Sequence, residues 1–278
     1  MKVTVTGGTG FIGNYVVDEL LRRGVEVIVT GTNLEKAKQC TWFNKVSFFQ
    51  LDVNSPSDVI LKEIASSNKL IHLAWSGLPN YKDLFHFEEN LLPQYQFLKQ
   101  LILLGLKDIT VTGTCFEYGM KSGPLSVTMP TNPQNPYALA KDTLRKYLQQ
   151  LQSKNYFELK WIRLFYMYGK GQSANSVLSQ LEVALQKGDE YFNMSGGEQL
   201  RDYLPVETVA EHIVSLALSK DENGIYNCCS GKPISIRKLV ENYLLENNKT
   251  IKLNLGHYPY PDYEPMAFWG EIFFKNYV

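Results

Sequence analysis

Tyr137 and Lys141 stand four positions apart in Asn135-Pro136-Tyr137-Ala138-Leu139-Ala140-Lys141, which opens with a helix-capping asparagine and a proline suited to the first helical position. One helical turn separates them, so a phenol and an ammonium share a face. A phenol of pKa roughly 10 exchanges protons poorly at neutral pH, and a neighbouring cation brings it toward the working range by stabilising the phenolate. The pair is suited to moving a proton to or from a substrate oxygen. Taken alone, the same spacing also describes a surface tyrosine beside a solvated lysine.

Two further segments favour chemistry. In Val111-Thr112-Gly113-Thr114-Cys115-Phe116-Glu117-Tyr118-Gly119 an apolar strand ends in hydroxyl side chains, and ligands of open α/β sheets bind beyond such ends. Thr114 is placed to donate a hydrogen bond to a substrate carbonyl oxygen beside Tyr137. Thr112 and Cys115 read as strand-end packing, Cys115 at the border of a substrate pocket, and Glu117 reads as structural. Near the start, the strand Lys2-Val3-Thr4-Val5-Thr6 runs into glycines at 7, 10 and 13 and then an amphipathic run from Asn14 to Arg23. This is the pattern of a dinucleotide cradle. Gly7 makes the turn, Gly10 lets a pyrophosphate reach the backbone, and Gly13 lets the helix pack on the sheet, with first-turn amides at Phe11, Ile12 and Gly13 facing the phosphates.

The elements that must position these groups alternate along the chain. Strands are expected at 25–30, 46–51, 69–74, 109–112, 159–165 and 224–228, with helices after Ser57, over 88–104, from Pro136 to Leu151, over 177–187, over 207–219 and after Ser235. Alternation of this kind gives an α/β fold with a doubly wound parallel sheet of the Rossmann type. The loop-rich character after Tyr166 suggests a smaller mixed lobe. The expected division is 1–165 plus 206–229 for the dinucleotide-binding domain and 166–205 plus 230–278 for a substrate-binding lobe.

Composition narrows the partners. With 278 residues, 44% of them hydrophobic, the chain can bury a large core, and 28 basic residues balance 28 acidic ones. No overall field favours nucleic acid or an anionic membrane. No apolar run reaches the roughly 18 residues of a membrane span, and a strand starting at residue 2 leaves no room for a secretory segment, so a cytoplasmic protein is expected. Four cysteines (40, 115, 228, 229) and four histidines (72, 86, 212, 257) show no metal-ligand spacing, and no metal is expected.

The glycine fingerprint, the Thr114 strand end with Tyr118-Gly119, and the Tyr137/Lys141 pair together resemble the extended short-chain dehydrogenase/reductases of the NAD-dependent epimerase/dehydratase family. The resemblance covers nearly the whole chain. It implies that Asp52 and Val53 contact adenine, that Leu73, Ala74 and Trp75 after His72 wall the cofactor, and that Asn90 lies nearby. It also implies a nucleoside diphosphate sugar as substrate, with Arg201 of Arg201-Asp202-Tyr203-Leu204-Pro205-Val206 gripping the diphosphate through its planar fork. A salt bridge from Arg201 to Asp202 or another carboxylate is the alternative. Tyr166, Lys170 and Pro205 depart from an asparagine, a proline and a histidine common in the family, and Tyr166 is placed near the substrate.

Two positions discriminate within the family. Its 4,6-dehydratases carry an Asp-Glu pair directly after the catalytic threonine, where this chain has Cys115-Phe116. At the end of the second strand, Thr30-Gly31-Thr32-Asn33-Leu34-Glu35-Lys36 lacks the acid that holds the ribose of NAD, and Thr32, Asn33 and Lys36, with Lys38, suit a 2′-phosphate. These lysines also fit a solvated helix face. NADPH is therefore expected, with NAD(H) as the alternative cofactor. A consumed cofactor suits net reduction, and the detail around Thr114 is similar to nucleotide-sugar 4-keto-6-deoxyhexose reductases of bacterial surface polysaccharide synthesis. An NAD-dependent 4-epimerase is the alternative, and a non-catalytic NADPH-binding regulator a further one. The resemblance also implies a homodimer formed through the 88–104 and 136–151 helices.

Overall fold

The computed structural model describes residues 1–220 and 223–272. Its apolar runs form seven strands: β1 (Lys2–Thr6), β2 (Glu26–Gly31), β3 (Ser47–Gln50), β4 (Lys69–His72), β5 (Asp108–Thr114), β6 (Glu158–Leu164) and β7 (Gly224–Cys228). They pair in the order 3-2-1-4-5-6-7, every neighbouring pair parallel. The order reverses between β1 and β4, so the chain leaves these two neighbours toward opposite faces and opens a crevice at their carboxyl ends. The glycine loop after β1, the residues after β4 and the end of β5 all meet there.

Eight α-helices accompany the sheet among the described residues: α1 (Phe11–Arg22), α2 (Leu34–Lys38), α3 (Asp58–Ala65), α4 (Leu91–Leu103), α5 (Pro136–Gln152), α6 (Val177–Lys187), α7 (Val206–Leu218) and α8 (Ile236–Glu246). Alternate strand residues serve opposite faces. Val3, Val5 and Ile71 pack beneath α1 and α7 with Val17 and Ile213, whereas Leu70, Ile109 and Val111 pack beneath α3, α4 and α5 with Leu98 and Leu144. A separate apolar cluster of Leu178, Leu181, Phe192, Met194, Leu239 and Val240 lies between α6 and α8.

Three boundaries differ from the sequence expectation, each for a local reason. Helix α1 starts at Phe11 rather than Asn14, because Gly10 is extended (φ −74, ψ 173) and caps it directly. The fourth strand ends at His72 and releases Leu73–Trp75 onto the crevice. The expected 88–104 helix begins with a π-helical turn, His86–Asn90, that turns His86 and Asn90 inward before α4 starts. The sequence also gave no signal for the pairing of Gly123–Leu125 with Phe268–Gly270. Nearby, the buried Asp202 carboxylate accepts the amides of Ser230 (2.6 Å), Gly231 (2.9 Å) and Gly270 (3.3 Å), which satisfies a charge removed from water.

Among the described residues no helix is long and apolar enough to cross a membrane, and no group of three or more His, Cys, Asp or Glu could hold a metal ion. At Gly13, a Cβ would lie 2.2 Å from the Gly7 carbonyl oxygen and 2.8 Å from Gly8 Cα, both backbone atoms that cannot yield cheaply. Gly13→Ala is expected to cost about 1–3 kcal/mol and to abolish dinucleotide binding, as measured by thermal melting and cofactor titration.

Candidate active site

The three loop glycines serve different needs. Gly7 has φ +72, and a Cβ there would sit 2.9 Å from Ala74, so the loop after β4 rests directly on it. A Cβ on Gly10 would meet only the Gly7 carbonyl, at 3.1 Å, which leaves the space over Gly10 open. Helix α1 has no side-chain cap, so its first-turn amides at Phe11, Ile12 and Gly13 remain available to an anion. An open cradle over an uncapped helix start is what a pyrophosphate needs.

At the end of β2, Thr32, Asn33 and Lys36 are exposed. Asn33 caps α2, its Oδ1 accepting from the Lys36 amide at 2.9 Å. Lys38 pairs with Glu35 at 2.7 Å, whereas Lys36 makes no ion pair among the described residues. Beyond β3, Asp52 is exposed and turns the chain by accepting the Asn54 amide (2.9 Å), while Val53 packs against the core.

Asn135 caps α5 by accepting the Ala138 amide (2.9 Å), and Pro136 follows at the first position. This start aims Tyr137 and Lys141 inward, at 8% and 2% exposure, which rules out a solvated surface pair. Lys141 Nζ donates to the Thr112 carbonyl (2.9 Å) and lies 4.2 Å from the centre of the Trp75 ring. Trp75 Nε1 donates to His86 Nδ1 (3.1 Å), which leaves His86 Nε2 as the protonated nitrogen donating to the Asn80 carbonyl (2.9 Å). Asn90 spends both side-chain polar atoms on Ser76: its Oδ1 accepts from the Ser76 hydroxyl (2.8 Å) and its Nδ2 donates to the Ser76 carbonyl (3.1 Å). It thereby holds the loop that carries Leu73, Ala74 and Trp75, all half-buried. His72 bonds Thr6 (2.8 Å) and Gln94 (2.7 Å), and burial lowers its pKa to about 3, so it stays neutral.

Burial dominates the electrostatics. It lowers Lys141 to about 7, with the charge of Glu117 acting in the opposite direction. It raises the Tyr137 phenol well above its usual range, and Tyr81, Glu117 and Cys115 add to the rise. In the protein alone burial holds the phenol protonated; the lowering expected from the sequence draws on Lys141 together with the positive charge of an oxidised nicotinamide.

Phe11, Ile12, Thr114, Cys115, Tyr137 and Tyr166 line one cavity of about 800 Å³, so the start of α1 and the end of β5 share a space. The Tyr137 hydroxyl has no hydrogen-bond partner among the described residues. Thr114 lines the cavity, and its Oγ1 accepts from the Phe116 amide (3.3 Å). Cys115 is buried, its thiol pKa raised chiefly by desolvation. Sequence reasoning missed Tyr81, Tyr203 and Tyr263, which also line the cavity. Tyr203 lies within the quoted Arg201–Val206 segment, but no motif marks Tyr81 or Tyr263; the Tyr81 ring lies 5.5 Å from Tyr137 and 5.3 Å from Phe116 only through the fold.

Arg201 is placed differently from the expectation. It is 1% exposed, does not line the cavity, and pairs with Glu264 (2.9 Å) in an ionic contact rather than an aligned hydrogen bond. Its Nη1 donates to the carbonyls of Leu200 (2.8 Å) and Met266 (3.2 Å), and its guanidinium lies 4.5 Å from the centre of the Phe268 ring. The Tyr166 hydroxyl bonds the same Glu264 carboxylate. A carboxylate thus takes the arginine, but it comes from the C-terminal segment, because Asp202 is already saturated by backbone amides.

A glycine-cradled crevice in a 3-2-1-4-5-6-7 parallel sheet, faced by a buried Tyr-Lys pair and a strand-end threonine, defines a short-chain dehydrogenase/reductase of the extended type. Residues 3–229 match the NAD dependent epimerase/dehydratase family, and the chain belongs to it as one of its enzymes. It is 35% identical over 272 residues to the dTDP-6-deoxy-L-talose 4-dehydrogenase (NAD(+)) of Aggregatibacter actinomycetemcomitans, covering 97% of this chain and 99% of that one. It is 27% identical to a UDP-glucose 4-epimerase of Halalkalibacterium halodurans over 87% of this chain and 79% of that one. Among solved structures, MoeE5 in complex with UDP-glucuronic acid and NAD shares the fold, with a TM-score of 0.83 at 21% identity over 98% of this chain and 90% of that one.

Because Lys141 titrates near 7 in the fold but near its ordinary, higher value when unfolded, its burial opposes folding in full below pH 7, and the penalty fades as pH rises toward that higher value. Lys141→Met is therefore expected to raise Tm by about 2–4 °C at pH 6, less at pH 10, while turnover collapses. Melting curves at the two pH values check it.

Proposed function

We propose that this enzyme reduces the C4 keto group of a nucleoside diphosphate 4-keto-6-deoxyhexose, with NADPH as the reductant. The observation that carries the reading is the Tyr137 hydroxyl, buried, held protonated and without a hydrogen-bond partner among the described residues, on a residue that lines the same cavity as Thr114 and the start of α1. The cradle over Gly10 and the uncapped α1 amides fit a dinucleotide pyrophosphate. Gly7, Gly10, Phe11, Ile12 and Gly13 would hold it, with Trp75 and Lys141 at the nicotinamide end and Thr32, Asn33, Lys36, Asp52 and Val53 at the adenosine end. When bound, that cofactor supplies a hydride equivalent.

The protein's own part is positional and protonic. Thr114 donates a hydrogen bond to the C4 carbonyl oxygen and fixes its direction. Tyr137 transfers its phenolic proton to the same oxygen as that oxygen becomes an alkoxide, and the phenolate left behind is stabilised by the Lys141 ammonium one turn away. Phe116, Tyr81 and Tyr166, whose rings stack edge to face, give an apolar surround that suits a methyl at C6 better than a hydroxymethyl group. Net dehydration has no support: Cys115 and Phe116 offer no carboxylate acid or base, and the Glu117 carboxylate is enclosed by donors.

The unpaired Lys36 favours the 2′-phosphate of NADPH, whereas the A. actinomycetemcomitans relative carries NAD(+) in its name, so the two cofactors are to be compared directly. For Arg201 to grip the substrate diphosphate, Glu264 must release it. Leu92, Leu139 and Tyr147, exposed on α4 and α5, support a homodimer through those helices, and the reading also takes the protein to be cytoplasmic.

With a dTDP-4-keto-6-deoxyhexose, the protein is expected to oxidise NADPH stoichiometrically; interconversion of two sugars without net cofactor loss would instead establish the epimerase. Tyr137→Phe should lower kcat by roughly 10²–10⁴-fold with little change in cofactor affinity, and near-normal turnover would refute the proton-donor role. Lys36→Ala should raise KM for NADPH and leave KM for NADH unchanged, measured by steady-state kinetics with both cofactors.

A further inference from the structure

We infer that Glu117 is a positioning residue for the catalytic site, fixing Thr114 through its reach and Lys141 through its charge; this rests on the reductase reading above. Its carboxylate is completely buried. Oε1 accepts the Thr114 amide at 2.9 Å, Trp161 Nε1 donates to both oxygens (3.0 and 3.2 Å), and Arg163 Nε donates to Oε2 at 2.7 Å. Arg145 Nε stands 3.9 Å away, on the same helix as Tyr137 and Lys141. One carboxylate therefore connects the end of β5, the adjacent β6 and the catalytic helix α5. Each of these hydrogen bonds is donated to the carboxylate, so its two oxygens are satisfied in place.

Room for this contact is built into the backbone. A Cβ on Gly113 would lie 2.3 Å from Glu117 Oε1 and 2.2 Å from Trp161 Nε1, so glycine is required where the strand passes the carboxylate. The Arg163 guanidinium stacks on Tyr118 (4.4 Å), whose hydroxyl donates to Asn227 on β7 (2.7 Å), which extends the brace across the edge of the sheet. In the capping arrangement Glu117 takes the Thr114 amide while the Thr114 side chain caps the turn that follows, so one reciprocal pair fixes the strand end.

Lys141 has the following titratable and charged neighbours. His72 on β4 and His86 beyond it are both held below the usual histidine range by burial and stay neutral at working pH. On α5 itself, Tyr137 stays protonated, and Asp142 is engaged by Arg145 (2.6 Å) and Lys146 (2.7 Å). Glu117 is the charge that opposes the desolvation of Lys141. Without it the ammonium deprotonates at lower pH and no longer stabilises the Tyr137 phenolate.

Reach and charge separate in two variants. Glu117→Gln keeps the acceptor for the Thr114 amide and removes the charge; the alkaline limb of the kcat profile for reduction should move down by roughly one pH unit, with KM for cofactor unchanged. Glu117→Asp keeps the charge and draws it back from Thr114; kcat should fall roughly tenfold or more at every pH, with the alkaline limb in place. If Glu117→Gln does not fold, Glu117→Gln/Arg163→Met removes both charges and is read in the same way. An activity-free readout is the fluorescence of Trp75, against which Lys141 lies. In a His86→Gln background, a transition near pH 7 that is lost in Trp75→Phe should shift downward with Glu117→Gln. Folded variants with lowered Tm but an unmoved alkaline limb and unmoved fluorescence midpoint would overturn the inference. Wild-type protein inactive on keto-sugar nucleotides would overturn the reductase reading instead, while the fluorescence titration would still decide the charge effect.

Discussion

The structure depends on keeping an ammonium, Lys141, out of water beside a phenol that must give up a proton. A buried lysine loses hydration that its single hydrogen bond to the Thr112 carbonyl and its contact with the Trp75 face only partly replace. In the proposed reaction that cost has a use, because a cation in a low-dielectric site would stabilise the Tyr137 phenolate most strongly. Stability is given up locally for chemistry.

The surrounding elements read as consequences of that constraint. Asn135 and Pro136 fix where α5 begins, and hence which residues face the sheet. The π-helical turn at His86–Asn90 brings an imidazole to Trp75 and an amide to Ser76, so the loop that stacks on Lys141 is held from behind. Three glycines allow contacts that a Cβ would block: Gly7 meets the backbone of Ala74, Gly13 the backbone of Gly7, and Gly113 the side chains of Glu117 and Trp161. Each brings two catalytic or cofactor segments closer than any other residue would permit.

The two halves of the cavity differ in kind. Its Thr114 side is backed by the Glu117 carboxylate, which accepts the Thr114 amide, whereas Tyr81, Phe116, Tyr166 and Tyr203 make the rest of its lining strongly aromatic. Rings define shape without fixing polar direction, which would suit the proposed sugar, whose reacting oxygen Thr114 and Tyr137 would orient. At the far end, Glu264 neutralises Arg201 and bonds Tyr166, tying the C-terminal segment to the substrate side.

The sequence by itself determined the parallel sheet, the cradle and the Tyr137/Lys141 pair, because each is written in local terms: glycines after a strand, a cap before a helix, a four-residue spacing. It also marked Glu117 as structural and Cys115-Phe116 as unsuited to water loss. Only the tertiary structure decided that burial raises the Tyr137 phenol, that Arg201 faces Glu264 sixty-three positions away in sequence rather than open space, and that Asn90 holds Ser76. Desolvation and long-range pairing depend on what the rest of the chain places around a group, and no spacing along the sequence encodes that.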